Sequence, residues 1–128
     1  MRTHIEVIVI AQPSRFRESL HLLLTSIPQI EKIHLADDVG SALARNDVPT
    51  VIIVDADMAE GSLVETIKKI ETTWPRTRQI ILLDDEPGAQ VDQIGRADLL
   101  LYKGFPAAKF IELVEALLSN CCWKKSDE

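Results

Sequence analysis

Charged side chains follow several apolar runs of this sequence, at the points where those runs end. They are Asp55 and Asp57, Asp84 and Asp85, and Lys103. Carboxylates supply the oxygen ligands that a hard cation such as Mg²⁺ prefers, and an aspartate can also accept a transferred group. A lysine that faces several carboxylates neutralises part of their charge and holds them together. The candidate site therefore depends on which of these ends meet in the fold.

Asp55 directly follows the run of residues 51–54, which reads Val-Ile-Ile-Val. No polar residue interrupts the run, and such β-branched residues are typical of a strand that is buried on both faces. Carboxylates are almost never fully buried unless they are paired. We therefore expect Asp55 at the end of this strand, at the rim of the core.

The rest of the chain predicts five strands that alternate with five helices. The strands are expected at residues 6–11, 32–36, 51–54, 79–83 and 99–102. The helices are expected after Pro13 or Ser14, after Asp38, after a Ser62 capping box, through Val91 and Ile94, and from Pro106 or Ala107. This alternation predicts an α/β fold, a doubly wound parallel sheet with the flavodoxin-like strand order 2-1-3-4-5.

The predicted sheet brings Asp55 and Lys103 to the same edge, because the carboxyl ends of all parallel strands lie together. Lys103 is expected at the end of the strand that lies two positions from the strand of Asp55. Its four-carbon side chain is long enough to span that distance. Ligands of open α/β sheets bind at this edge, where the strand order reverses between strands 1 and 3. We therefore expect a site that contains one lysine and a group of carboxylates.

The composition is that of one soluble globular domain of 128 residues, 46% hydrophobic and 27% charged. The net charge of -6 disfavours nucleic acid as a direct ligand, and no apolar run approaches the roughly 20 residues of a membrane span. The first residues lack a signal-peptide pattern, and the adjacent Cys121 and Cys122 cannot form a disulfide framework. We expect a cytoplasmic protein, with one domain over residues 1–122 and a tail or linker start at 123–128.

Three segments of the sequence resemble response-regulator receiver domains of two-component signalling, the CheY-like domains. They are Asp55-Ala56-Asp57-Met58-Ala59, the segment of residues 97–103 that ends in Lys103, and the opening of residues 12–18, which is similar to receivers attached to LuxR-type helix-turn-helix domains. The resemblance covers essentially the whole chain. It implies that Asp55 is the phosphoacceptor and that Lys103 contacts the phosphoryl group.

The sequence departs from the receiver pattern at four positions, which are Ala11, Gln12, Asp84 and Leu100. Ala11 and Gln12 stand where receivers usually have two acidic residues that help to hold Mg²⁺. Asp84 replaces the usual Thr or Ser, and Leu100 replaces the usual aromatic switch residue. We therefore predict at most a weak Mg²⁺ site, made by Asp55 and the backbone of Asp57, with Asp84 as a further candidate ligand.

These departures lead to the hypothesis of a degenerate receiver, which is not an enzyme. Mg²⁺-dependent phosphorylation of Asp55 is expected to be weak or absent, Asp84 could pair with Lys103, and signalling would use protein–protein contacts. The expected partners are a histidine kinase or another signalling protein, with a possible homodimer through residues 91–118. Nucleic acid would be contacted only through an output domain outside this sequence.

Three alternatives remain open from the sequence. A working receiver would accept phosphate on Asp55 from a histidine kinase despite the substitutions. The segment from Val54 to Asp57, with Asp84 and Asp85, also looks like the acidic motifs of haloacid-dehalogenase-type phosphatases, although their order along the chain differs. A flavodoxin-type cofactor protein would need a Ser/Thr/Gly-rich loop after strand 1, and residues 12–15 do not form one.

Overall fold

The protein contains a five-stranded, all-parallel sheet with the predicted order β2-β1-β3-β4-β5. Its structure, a computed structural model, describes residues 5–45, 48–58, 63–83, 98–104 and 106–126, with the backbone alone for 120–126. The strands are β1 (Ile5–Ile10), β2 (Ile30–Ala36), β3 (Val51–Asp55), β4 (Arg78–Leu83) and β5 (Leu99–Tyr102). The predicted α/β fold class is thus confirmed.

Four α-helices belong to the described part of the chain. They are α1 (Arg15–Thr25), α2 (Val39–Leu43), α3 (Leu63–Thr73) and α4 (Ala107–Ser126), and a 3₁₀ turn (Ala56–Met58) follows β3. The helix predicted through Val91 and Ile94 lies outside the described residues, and so do Asp84 and Asp85. Strand β2 begins two residues earlier than predicted, because Ile30 pairs with Ile5 of β1.

The sheet forms the middle layer of the molecule and is covered on both faces. On one face α1 and α4 contribute a cluster that includes Leu20, Leu24, Phe110, Val114 and Leu118. On the other face α2 and α3 contribute Val39, Ala42, Ile67, Ile70 and Trp74. All five residues of β3 are buried, as its β-branched run predicts. Burial on both faces places β3 at the centre of the core and leaves Asp55 at its end.

Side-chain caps determine where two helices begin. The Ser14 hydroxyl accepts a hydrogen bond from the Arg17 backbone N–H at 3.2 Å and so caps α1. The Asp38 carboxylate accepts from the Ser41 N–H at 2.7 Å and caps α2. The first cap matters for function, because it fixes the first turn of α1 beside the carboxyl edge of the sheet.

Asp98 fixes the start of β5 against β4. One of its carboxylate oxygens accepts from the Arg78 guanidinium at 2.9 Å, and the other accepts from the Gln79 backbone N–H at 2.8 Å. Both contacts join residues that are about 20 positions apart in the sequence. They hold the strand that ends in Lys103 in register with its neighbour.

None of the helices that the structure describes is both long and apolar enough to cross a membrane.

The substitution Ile53→Ala is expected to lower the free energy of unfolding by about 2–5 kcal/mol, because it opens a cavity in the most buried strand. Ile53 is 0% exposed. Urea denaturation followed by circular dichroism measures the change. The matched control is Val48→Ala at a side chain that is 61% exposed, with an expected change within about 0.5 kcal/mol. Equal losses in both variants would contradict the central position of β3.

Candidate functional site

Asp55 is the last residue of β3 and lies at the rim of the core, 7% exposed. The 3₁₀ turn that follows folds the chain back, so that the backbone N–H of Asp57 donates to Asp55 Oδ1 at 3.0 Å. The same oxygen lies 2.8 Å from Lys103 Nζ. A nearly buried carboxylate therefore has both a backbone donor and a cation as partners, as the cost of burying a charge requires.

Lys103 follows β5 directly and reaches back across the sheet edge. Its backbone N–H donates to the carbonyl of Leu83 at 2.9 Å, which fixes its position beside the end of β4. Its ammonium contacts Asp57 Oδ2 at 3.3 Å in addition to Asp55. One lysine therefore bridges two carboxylates. The structure brings together three of the residues that the sequence placed at strand ends.

An arginine that no sequence pattern indicated lies at the other end of the carboxyl edge, beside β1 and β2. Arg17, in the first turns of α1, donates through Nη1 to the backbone carbonyl of Ala11 at 3.2 Å and to Asp37 Oδ1 at 2.7 Å. Ala11 is buried and follows β1 next to the end of β3, while Gln12 is exposed. The receiver pattern has acidic side chains at this strand end. Here the backbone carbonyl of Ala11 instead accepts a hydrogen bond from the Arg17 guanidinium.

The described residues do not fit a Mg²⁺ site. Mg²⁺ requires oxygen ligands in near-octahedral geometry, but the Ala11 side chain offers none, and its carbonyl already accepts from Arg17. The Asp55 and Asp57 carboxylates are both engaged by the Lys103 ammonium, and the predicted ligand at Asp57 is its backbone, which these contacts leave as a prediction. Among the described residues no group of three or more His, Cys, Asp or Glu side chains is arranged for a metal ion. Asp84, the remaining predicted ligand, lies outside the described residues.

Phe16 is a second neighbour of the site that sequence reasoning missed. The Lys103 ammonium lies 5.2 Å from the centre of the Phe16 ring, within the range of a cation–π contact. Both side chains line an open pocket of about 170 Å³ between α1 and α4, together with Ser19, Leu20, Leu23, Leu82, Tyr102, Ala107 and Phe110. The helical spacing of α1 predicts an inward-facing Phe16, but no sequence signal places Lys103 against it.

Leu100, at the predicted switch position, is half-buried and packs with the cluster under α2 and α3. It lies on the face of the sheet opposite to the cluster under α1 and α4.

No protein-family model matches the chain, and no curated protein matches it. Solved structures do match. A LuxR-family two-component response regulator from Aurantimonas sp. SI85-9A1 is 18% identical, with a TM-score of 0.80 over 92% of this chain and 87% of that one. The CheY-like receiver domain protein from Methanospirillum hungatei JF-1 is 13% identical, with a TM-score of 0.81 over 95% and 99% of the two chains. The signal receiver domain of the putative response regulator NarL from Mycobacterium tuberculosis is 23% identical, with a TM-score of 0.75 over 92% and 96%.

The chain has the fold of a response-regulator receiver domain. At these identities the likeness establishes the fold, and the roles of Asp55 and Lys103 stay predictions from the motifs.

Lys103→Met is expected to lower the free energy of unfolding by about 1–3 kcal/mol, since it leaves the nearly buried Asp55 carboxylate without its cation. The matched control is Lys109→Met at an exposed position of α4, with an expected change within about 0.5 kcal/mol. Urea denaturation measures both. Adding Asp55→Asn to Lys103→Met should recover part of the loss, and a further loss of full size would contradict the ion pair.

The unmodified protein should bind Mn²⁺ weakly at most, as measured by the electron paramagnetic resonance signal of free Mn²⁺. The double substitution Ala11→Asp with Gln12→Asp should raise the affinity by about tenfold or more, because each carboxylate about 4 Å from a divalent ion contributes several kcal/mol. Ser14→Asp is the control, because it adds a nearby charge and retains the helix cap. Tight Mn²⁺ binding by the unmodified protein would contradict the conclusion that the described residues do not fit a metal ion.

Proposed function

We propose that this chain is the receiver domain of a two-component response regulator in which Mg²⁺-dependent phosphorylation of Asp55 is weak or absent. Signalling then proceeds through protein–protein contacts. The observation that supports the proposal most directly is the Lys103 ammonium, which bridges Asp55 and Asp57 at 2.8 and 3.3 Å. The lysine balances one of the two negative charges of the site, while the end of β1 lacks the carboxylates that would recruit a second cation.

The charges of the site argue against efficient phosphoryl transfer. The two carboxylates and the one ammonium leave the group with a net negative charge. A phosphoryl group adds about 1.5 to 2 further negative charges, and phosphoryl transfer depends on cations that neutralise them. Arg17 could supply a positive charge, but its Nη1 is bound to Ala11 and Asp37. A carboxylate at position 84 would add to the repulsion.

A phosphorylated receiver is the second candidate, and one observation favours it. Asp55 at the end of β3 and Lys103 after β5 are in direct contact across the end of β4, so the two residues that the motifs assign to phosphoryl acceptance and contact lie side by side. This alternative requires a source of positive charge beyond Lys103.

The proposed partners are signalling proteins rather than small substrates, and we propose no enzymatic activity. A histidine kinase is the partner that the receiver fold suggests, and residues 91–118 are the proposed surface for a homodimer. One structural neighbour is the two-component response regulator RcsB in complex with DNA. By analogy, this chain would act on DNA only through a separate output domain, and its proposed location is the cytoplasm.

Incubation with Mg²⁺ and acetyl phosphate, followed by intact-mass measurement, tests the proposal. We expect little or no phosphoryl adduct on the unmodified protein, because the site lacks a second cation. Asp55→Asn and Asp57→Asn are matched controls, since each removes one of the two carboxylates that Lys103 contacts.

A near-stoichiometric adduct that disappears in Asp55→Asn and persists in Asp57→Asn would overturn the degenerate assignment and establish the phosphorylated receiver.

A further inference from the structure

The Lys103 ammonium has an aromatic neighbour as well as its two carboxylates. It lies over the ring of Phe16 at 5.2 Å from the centroid, and a ring face attracts a cation at this separation. Phe16 is the second residue of α1, whereas Lys103 follows β5. The contact therefore links a helix near the start of the chain to the ion pair at the sheet edge.

We propose that Phe16 positions the Lys103 ammonium over Asp55 and transmits changes in that ion pair to α1. Phe16 is thus a positioning residue: it touches the lysine, and it acts on Asp55 through it. The inference deepens the proposed receiver function, because it names the helix through which the state of the site is communicated, and in that sense it rests on that function.

The pocket beside the contact gives the ring room to respond. Phe16 and Lys103 form part of the wall of an open pocket of about 170 Å³, and Phe110 of α4 lines the same space. Phe110 is buried, whereas Phe16 is half-buried. A ring at the edge of an open pocket can follow the ammonium, whereas a fully packed ring cannot do so without straining its neighbours.

The direction of the coupling between the ion pair and Phe16 follows from the groups that attract the Lys103 ammonium. Two carboxylates draw the ammonium toward the strand ends, and the ring attracts it toward α1. A change that weakens the carboxylate side shifts the balance toward Phe16. The first turn of α1 is held by the Ser14 cap and by the Arg17 contacts with Ala11 and Asp37, so the change reaches α1 as a displacement of the Phe16 ring.

The chain contains only three phenylalanines, which makes a direct test possible. The protein is produced with ¹³C-labelled phenylalanine rings, and the ring signals are assigned with Phe16→Leu and Phe110→Leu. We expect Asp55→Asn to shift the Phe16 ring signals and to leave those of Phe110 nearly unchanged. Asp38→Asn, at the cap of α2, is the control and should move neither, because asparagine also caps helices well.

A double-substitution cycle decides whether the effect passes through the lysine. In a Lys103→Met background, Asp55→Asn should no longer shift the Phe16 signals. The proposal is overturned if Asp55→Asn leaves the Phe16 ring unaffected, or if its effect has the same size without Lys103.

The chemical reactivity of Lys103 provides a second readout that a purely packing role of Phe16 would not change. Phe16→Leu should increase the rate of reductive methylation of Lys103 Nζ by about two- to fivefold, the range that corresponds to a partly exposed cation–π contact. Phe16→Tyr should restore the original rate, and Phe110→Leu should leave it unchanged. Equal rates in Phe16→Leu and Phe110→Leu would overturn the proposal.

Both measurements are made without a phosphodonor. A negative result here would therefore leave the proposed receiver function standing, and an adduct on Asp55 would leave the Phe16 contact standing.

Discussion

The carboxylate of Asp55 lies at the end of the most buried strand, where water provides little solvation. A charge in that position must be paired, because an unpaired buried carboxylate costs several kcal/mol. Lys103 supplies the pairing cation from the far end of the chain, and the Asp57 N–H supplies a hydrogen bond. Asp98 joins the starts of β4 and β5, at the edge of the sheet away from the site. The pairing of these two strands places Lys103 at the carboxyl edge.

Basic side chains pair with carboxylates at both ends of the carboxyl edge of the sheet. Arg17 binds Asp37 and the Ala11 carbonyl at one end, and Lys103 binds Asp55 and Asp57 at the other. At the end of β1, where the receiver pattern has acidic side chains, the Ala11 carbonyl instead accepts a hydrogen bond from Arg17.

Helix α1 is connected to both halves of this edge through two consecutive residues. Phe16 lies against the Lys103 ammonium, and Arg17 reaches the end of β1. The Ser14 cap sets the first turn, and so it sets both side chains at once. The start of α1 therefore contacts the ion pair through Phe16 and the end of β1 through Arg17.

The sequence by itself determined the sheet and the edge on which the site lies. The β-branched run of residues 51–54, the alternation of strands and helices, and the position of Asp55 and Lys103 at strand ends follow from local patterns, since a parallel sheet places all carboxyl ends together. Only the tertiary structure decided that Lys103 contacts Asp57 as well as Asp55, and that Phe16 and Arg17 frame the edge. Helical spacing shows which side chains face inward, but the residues they meet depend on how α1 crosses the strand ends. That crossing results from packing between distant segments, which no local pattern encodes.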